Sequence, residues 1–324
     1  MTEGEVWAVR EVLRTVRPAG GRRSTARVRD RRRSRVAARV PAVAVLALLA
    51  AACTAGPAPH AAPPTAARTS AARLSAALPD DPVRMVLPAT GAETRWTQGL
   101  DVFVRQEARA AAASCAREHG IALPARAPLT FIRFYELPDL DFVARHGLSA
   151  SAAVPAATGT GAGGGSGDGG GSGGSAAVHG CLAEGTAAAT ALRDTYAALQ
   201  GRWFDTLVPL RRDPAVLRAL RTLPGCLAGH GIRARDENGF FAVADTQEQT
   251  AAPDRLPAVE RALGSAYADC MRPVEAVREP ARLRLRARFL TDHAAQVRAL
   301  RATLFPSLRR AAREHGLSLV FPAP

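Results

Sequence analysis

Cys115-Ala116-Arg117-Glu118-His119-Gly120-Ile121 ends the most regular stretch of the chain, and Cys226-Leu227-Ala228-Gly229-His230-Gly231-Ile232 repeats its pattern. Ahead of the first copy, Leu100, Val104, Ala108, Ala111 and Cys115 recur at helical spacing, which predicts an amphipathic helix from Thr94 to His119 that stops at Gly120. His-Gly followed by an aliphatic residue recurs at His146-Gly147-Leu148 and His315-Gly316-Leu317. All four read as one device for ending a helix. The imidazole lies near the last carbonyls, the glycine takes a left-handed conformation, and the aliphatic side chain folds back to seal the end.

Working outward, Phe131 to Tyr135 is expected to be extended and Leu140 to His146 a short helix. Thr158 to Ser175 is nearly all Gly and Ser, the heart of an expected flexible insert at 149–178 that divides the domain in two. The second half predicts a helix from Cys181 to Leu210, then one started by Asp213-Pro214 and ending near His230. Asn238-Gly239, before Phe240 and Phe241, predicts a tight turn and a short hairpin. A helix from Pro257 through Cys270 is expected next. A long Arg-rich helix from Glu279 to His315 follows, with Leu283, Phe289, Val297, Leu300 and Leu304 inward and Pro306 a kink. The expected class is therefore mainly α: a helical domain over 93–324 with one or two short hairpins or irregular segments, stapled by two disulfides.

Cys115, Cys181, Cys226 and Cys270 make an even set, which in an exported chain implies two bridges. Four cysteines allow three pairings. The layout of each half, a hook followed by an irregular stretch and a second cysteine-bearing helix, favours Cys115 with Cys181 and Cys226 with Cys270. Zinc is the rival reading. Cys115, His119, Cys226 and His230 place two thiols and two imidazoles at i and i+4 on helical faces, a Cys2His2 valence. The capping device accounts for all four histidines, whereas a metal site accounts for two, so no metal or other cofactor is expected.

Arg31 to Arg39 is a basic block, and Val40 to Ala52 is an uncharged run that ends in Ala50-Ala51-Ala52-Cys53. This order matches a signal peptide over 1–52, with an apolar run shorter than the ~20 residues a spanning helix needs. Its length leaves Val28 or Val36 as alternative translation starts. Cysteine after three small residues matches a lipobox, whose thiol accepts diacylglycerol after cleavage, so Cys53 is the expected lipid attachment and membrane anchor. Leu49 stands one place further from the cysteine than lipobox leucines usually do. Residues 53–92, rich in Ala, Pro and Thr at their start, are expected to be a disordered tether.

The net charge of +14 does not argue for nucleic acid. The leader holds 12 arginines against 4 acids, so 8 of those charges leave with it. The chain has no lysine, so no Walker loop can form, and its Gly170 to Gly174 match to a nucleophile elbow sits inside a Gly-Ser run. No catalytic constellation is legible. The candidate ligand surface is Phe131, Phe134, Tyr135, Glu136, Asp139 and Asp141, where aromatics and acids cluster in a chain only 5% aromatic. Core rings with helix-capping acids are the plainer reading of that cluster. Asp236 to Phe241 invites the same two readings.

The lipobox, the Cys-x-x-x-His-Gly hooks, Gly180-Cys181 opening an Ala-rich helix, Trp203 before the second hook, and Ala268-Asp269-Cys270 before a long helix together form a pattern. It resembles a group of secreted four-cysteine proteins and lipoproteins of high-GC Gram-positive bacteria with no assigned activity. The likeness covers about Trp96 to Leu317 and departs at His-Gly-Ile, where that group usually has Gly-Phe or Gly-Tyr, and at the glycine insert. It implies an envelope location and structural disulfides. The expected function is a membrane-anchored binding or envelope-structural module for an envelope protein, peptide or cell-wall ligand. The alternatives are an extracytoplasmic enzyme with a site near 131–142 or 236–241, and a zinc-binding helical protein.

Overall fold

The computed structural model describes residues 72–148, 152, 154–155 and 172–323. The expected leader, Cys53 and most of the glycine-rich insert lie outside the described residues. Within them the fold is mainly helical. In order come strand β1 (Leu74–Ser75) and helices α1 (Val83–Val86), α2 (Thr94–Glu118), α3 (Leu140–His146), α4 (Ser172–Arg193) and α5 (Ala197–Leu207). Helices α6 (Pro214–Leu220), α7 (Leu223–Gly229), α8 (Glu237–Thr250), α9 (Leu256–Asp292) and α10 (Ala294–His315) follow, then strand β2 (Phe321–Pro322). β1 and β2 pair antiparallel and bring the ends of the domain together.

The four His-Gly hooks end their helices as expected. Gly120, Gly147, Gly231 and Gly316 all have positive φ, between 61° and 79°. At α2, Ile121 N–H donates to Ala116 O (2.9 Å) and Gly120 N–H to Arg117 O (3.2 Å), the paired bonds of a Schellman motif. At α7 the same bonds join Ile232 to Leu227 and Gly231 to Ala228. Both expected disulfides are present: Cys115–Cys181 joins α2 to α4 and Cys226–Cys270 joins α7 to α9, with Cα separations of 5.4 and 5.5 Å.

Two apolar cores lie along α9. One gathers α3, α6, α7, α8 and the first half of α9, with Val143, Val216, Leu227, Phe240, Tyr267, Met271 and Val274 buried. The other gathers α1, α2, α5, the end of α9 and α10, around Met85, Phe103, Trp203, Phe289 and Leu304. Trp203 meets Phe289 edge-on at 5.5 Å.

Several expectations are corrected by this packing. The domain does not start at residue 93. Met85, Val86 and Leu87 are fully buried, and two indoles hold the segment through hydrogen bonds from Trp96 to Ala77 O and from Trp203 to Pro88 O. Residues 72–92 therefore belong to the fold, because the weakly apolar Val83 to Leu87 finds a long-range partner. The insert is likewise narrower than 149–178: Ala152 is buried, and α4 begins at Ser172. Phe131 to Tyr135 forms no strand. The expected helix 181–210 breaks around Asp194 to Tyr196, and 213–230 breaks at Arg221-Thr222.

Asn238-Gly239 makes no hairpin. Asp236 caps α8 by accepting from Gly239 N–H (2.7 Å), which places the pair in the first helical turn and buries Phe240 against Tyr267 at 5.2 Å. The expected gap between the helix ending at Cys270 and the one starting at Glu279 is absent: α9 runs through it with Pro273 and Pro280 inside. An interior proline costs about 3 kcal/mol, and the burial of Met271, Val274 and Phe289 on this one helix offsets it. The break falls instead at His293, between α9 and α10, and Leu283 turns outward.

Candidate functional site

The aromatic-acidic segment Phe131 to Phe142 does line a cleft, although only some of its residues face it. The walls are Phe134, Tyr135, Pro138 and Phe142 from this segment, Pro322 from β2, and Thr94, Arg95 and Gln98 from the first turns of α2. Arg133 and Asp139 also line it. The Gln98 side chain is only 8% exposed and has no hydrogen-bond partner among the described residues. Arg95 lays its guanidinium 4.5 Å over the Trp96 ring, and its buried Nε donates to nothing described. The cleft thus sets two spare polar groups, one helical turn apart on α2, opposite aromatic rings.

The candidate residues, those lining the cleft included, also have partners outside it. Phe131 is buried in a small cluster with Val102 and Phe142. Phe134 stacks on Phe204 at 6.0 Å. Tyr135 lies 4.5 Å from Phe241, so the structure joins the two aromatic regions that sequence singled out. The acids do not converge. Glu136 pairs with Arg211, Asp141 with Arg272 at 3.0 Å, and Asp139 caps α3 by accepting from Phe142 N–H at 3.0 Å. In the second region, Asp236 is a cap and Glu237 accepts from Tyr267 Oη at 2.6 Å.

A seam of buried charge runs between the two cores. Glu93 is 2% exposed and accepts from Ala89 N–H (2.8 Å), Arg84 Nε (2.8 Å) and an Arg286 guanidinium nitrogen (2.5 Å). Burial alone would raise its pKa, yet these donors hold it below the ordinary carboxylate value. Arg282, equally buried, donates to Ala89 O (2.8 Å) and pairs with Glu275 (2.5 Å). Arg278 links Glu275 to Glu237. The seam ties residues 84–93 to α9. Its sequence signal was the capping box Thr90-Gly91-Ala92-Glu93, which marks a helix start ahead of residue 94.

Glu107 is the opposite case. It lies buried on α2 with Oε2 unpartnered, and burial together with the Glu314 carboxylate, opposed by Arg310, pushes its pKa up to about 7.

The cross-hook zinc set is not assembled. Cys115 and Cys226 are each bonded to another cysteine, and among the described residues the metal-capable group is Cys226, His230 and Cys270. No described helix is long and apolar enough to cross a membrane. Comparison of the chain with protein-family models, with curated proteins and with solved structures finds no match.

Proposed function

We propose that this chain is an extracytoplasmic lipoprotein, anchored through lipid on Cys53, whose helical domain binds an envelope peptide or cell-wall component. The observation that carries the binding reading is the cleft at the start of α2, where Gln98 and Arg95 offer unspent hydrogen-bonding capacity beside Phe134 and Tyr135. The buried Arg95 Nε, without a partner among the described residues, costs about 1–3 kcal/mol as it stands, which a ligand oxygen recovers. Arg95 favours an acceptor that carries negative charge, and the rings cover its apolar flank. The dispersal of the acids among caps and arginine pairs favours binding over acid-base catalysis, which requires convergent groups.

The lipid reading rests on the Ala50-Ala51-Ala52-Cys53 motif, and two crosslinks suit an oxidising compartment. The cleft is tested by titrating the protein with a short peptide bearing a free carboxylate while following the ring signals of Phe134 and Tyr135 by NMR. Saturable shifts that disappear in Arg95→Ala and Gln98→Ala support the reading. Shifts that survive both substitutions would remove the cleft from it.

A further inference from the structure

The second hook carries a chemistry that the first does not. Both hooks place a histidine four residues after a half-cystine at a helix end. In the second, a ring nitrogen of His230 and the sulfurs of Cys226 and Cys270 all lie within 4.8 Å of one another. Cys115, His119 and Cys181 make no such group. Asp269, adjacent to Cys270, holds Oδ2 3.9 Å from His230 Nε2. Zinc binds sulfur at ~2.3 Å and imidazole nitrogen at ~2.0 Å in a tetrahedron, which sets its ligands roughly 3.5 to 3.8 Å apart. The three donors are within reach of one ion once the sulfur–sulfur bond opens.

We infer that reduction of Cys226–Cys270 converts the second hook into a zinc site. The thiolates of Cys226 and Cys270 and the imidazole of His230 are three ligands, and water is the fourth. The Asp269 carboxylate orients the imidazole, as carboxylates beside zinc-bound histidines do. Opening the bridge takes two electrons and two protons from a dithiol reductant, which leaves as its own disulfide. The two thiols then release two protons as Zn2+ binds. Attack falls on Cys226, which is part-exposed, and Cys270, wholly buried, is the leaving sulfur. The site is independent of lipid on Cys53.

The test uses Co2+ as a spectroscopic stand-in for Zn2+, added to the phosphine-reduced protein without oxygen. Expected are one equivalent of tetrahedral, thiolate-ligated Co2+ in the wild type and in His119→Ala, displacement by Zn2+, and at least tenfold weaker binding in His230→Ala. His119 and His230 are both exposed at equivalent helix ends, so neither substitution removes core. The oxidised protein should bind none. Equal binding by His230→Ala and His119→Ala, or no binding by the reduced chain, would overturn the inference.

Discussion

Glu107 and Glu93 are both buried carboxylates, yet their surroundings give them opposite effects on stability. Glu107, raised to about 7 from an ordinary 4.5, keeps its proton in the folded chain over a range where the unfolded chain has lost it. Stability therefore falls as pH rises from about 4.5 through 7, and the penalty is complete above that. Glu107→Gln should stabilise the protein by roughly 1–3 kcal/mol at alkaline pH and have little effect in acid. Urea unfolding at both extremes measures this, and an unchanged difference across pH would contradict it. Glu93 contributes in the other direction, because its lowered pKa gives stability that is present above the ordinary carboxylate value and lost as pH falls through the folded one. Glu93→Gln leaves the part-buried Arg286 without its counter-charge, an expected loss of ~2–4 kcal/mol near neutral pH. The gap to wild type should narrow in acid, once Glu93 itself is protonated.

Among the elements, α2 and α4 approach so closely that a side-chain carbon added at Gly185 would sit 2.2 Å from Ala108 O. The obstacle is backbone, so Gly185→Ala should separate the helices and cost about 1–3 kcal/mol, read as a drop in the midpoint of thermal unfolding. Gly231, with φ of 76° and open space around it, should cost only the left-handed penalty of ~1 kcal/mol when changed to alanine. Elements whose signals are local were legible in sequence: α2 and α3 by apolar spacing and caps, and the helix ends by their glycines. Elements decided by distant contacts were not. Asn238-Gly239 carries hairpin chemistry, but Asp236 and the burial of Phe240 place it in a helix. Pro273 and Pro280 look like boundaries, but α9 is held by two cores and an arginine seam that spacing alone does not reveal.

At the scale of the whole molecule, each bridge closes one half of the repeat, across 66 and 44 positions. Each should add roughly 2 to 4 kcal/mol by restricting the unfolded chain. The repeated hook makes this pairing legible in the sequence. Half of the candidate cleft was legible too, as rings and acids between Phe131 and Phe142. Its polar wall was not, because Arg95 and Gln98 look like ordinary polar positions on α2 until Tyr135 and Pro322 are folded over them. The proposed function has this domain held outside the cell by lipid on Cys53. Its most direct test is the intact mass, without reduction, of the mature protein recovered from membranes of a Gram-positive host. The expected species begins at Cys53, carries diacylglycerol there and retains two disulfides, while Cys53→Ser abolishes the lipid mass. A membrane-bound protein with Cys53 unmodified, or a mature chain beginning elsewhere, would contradict the account.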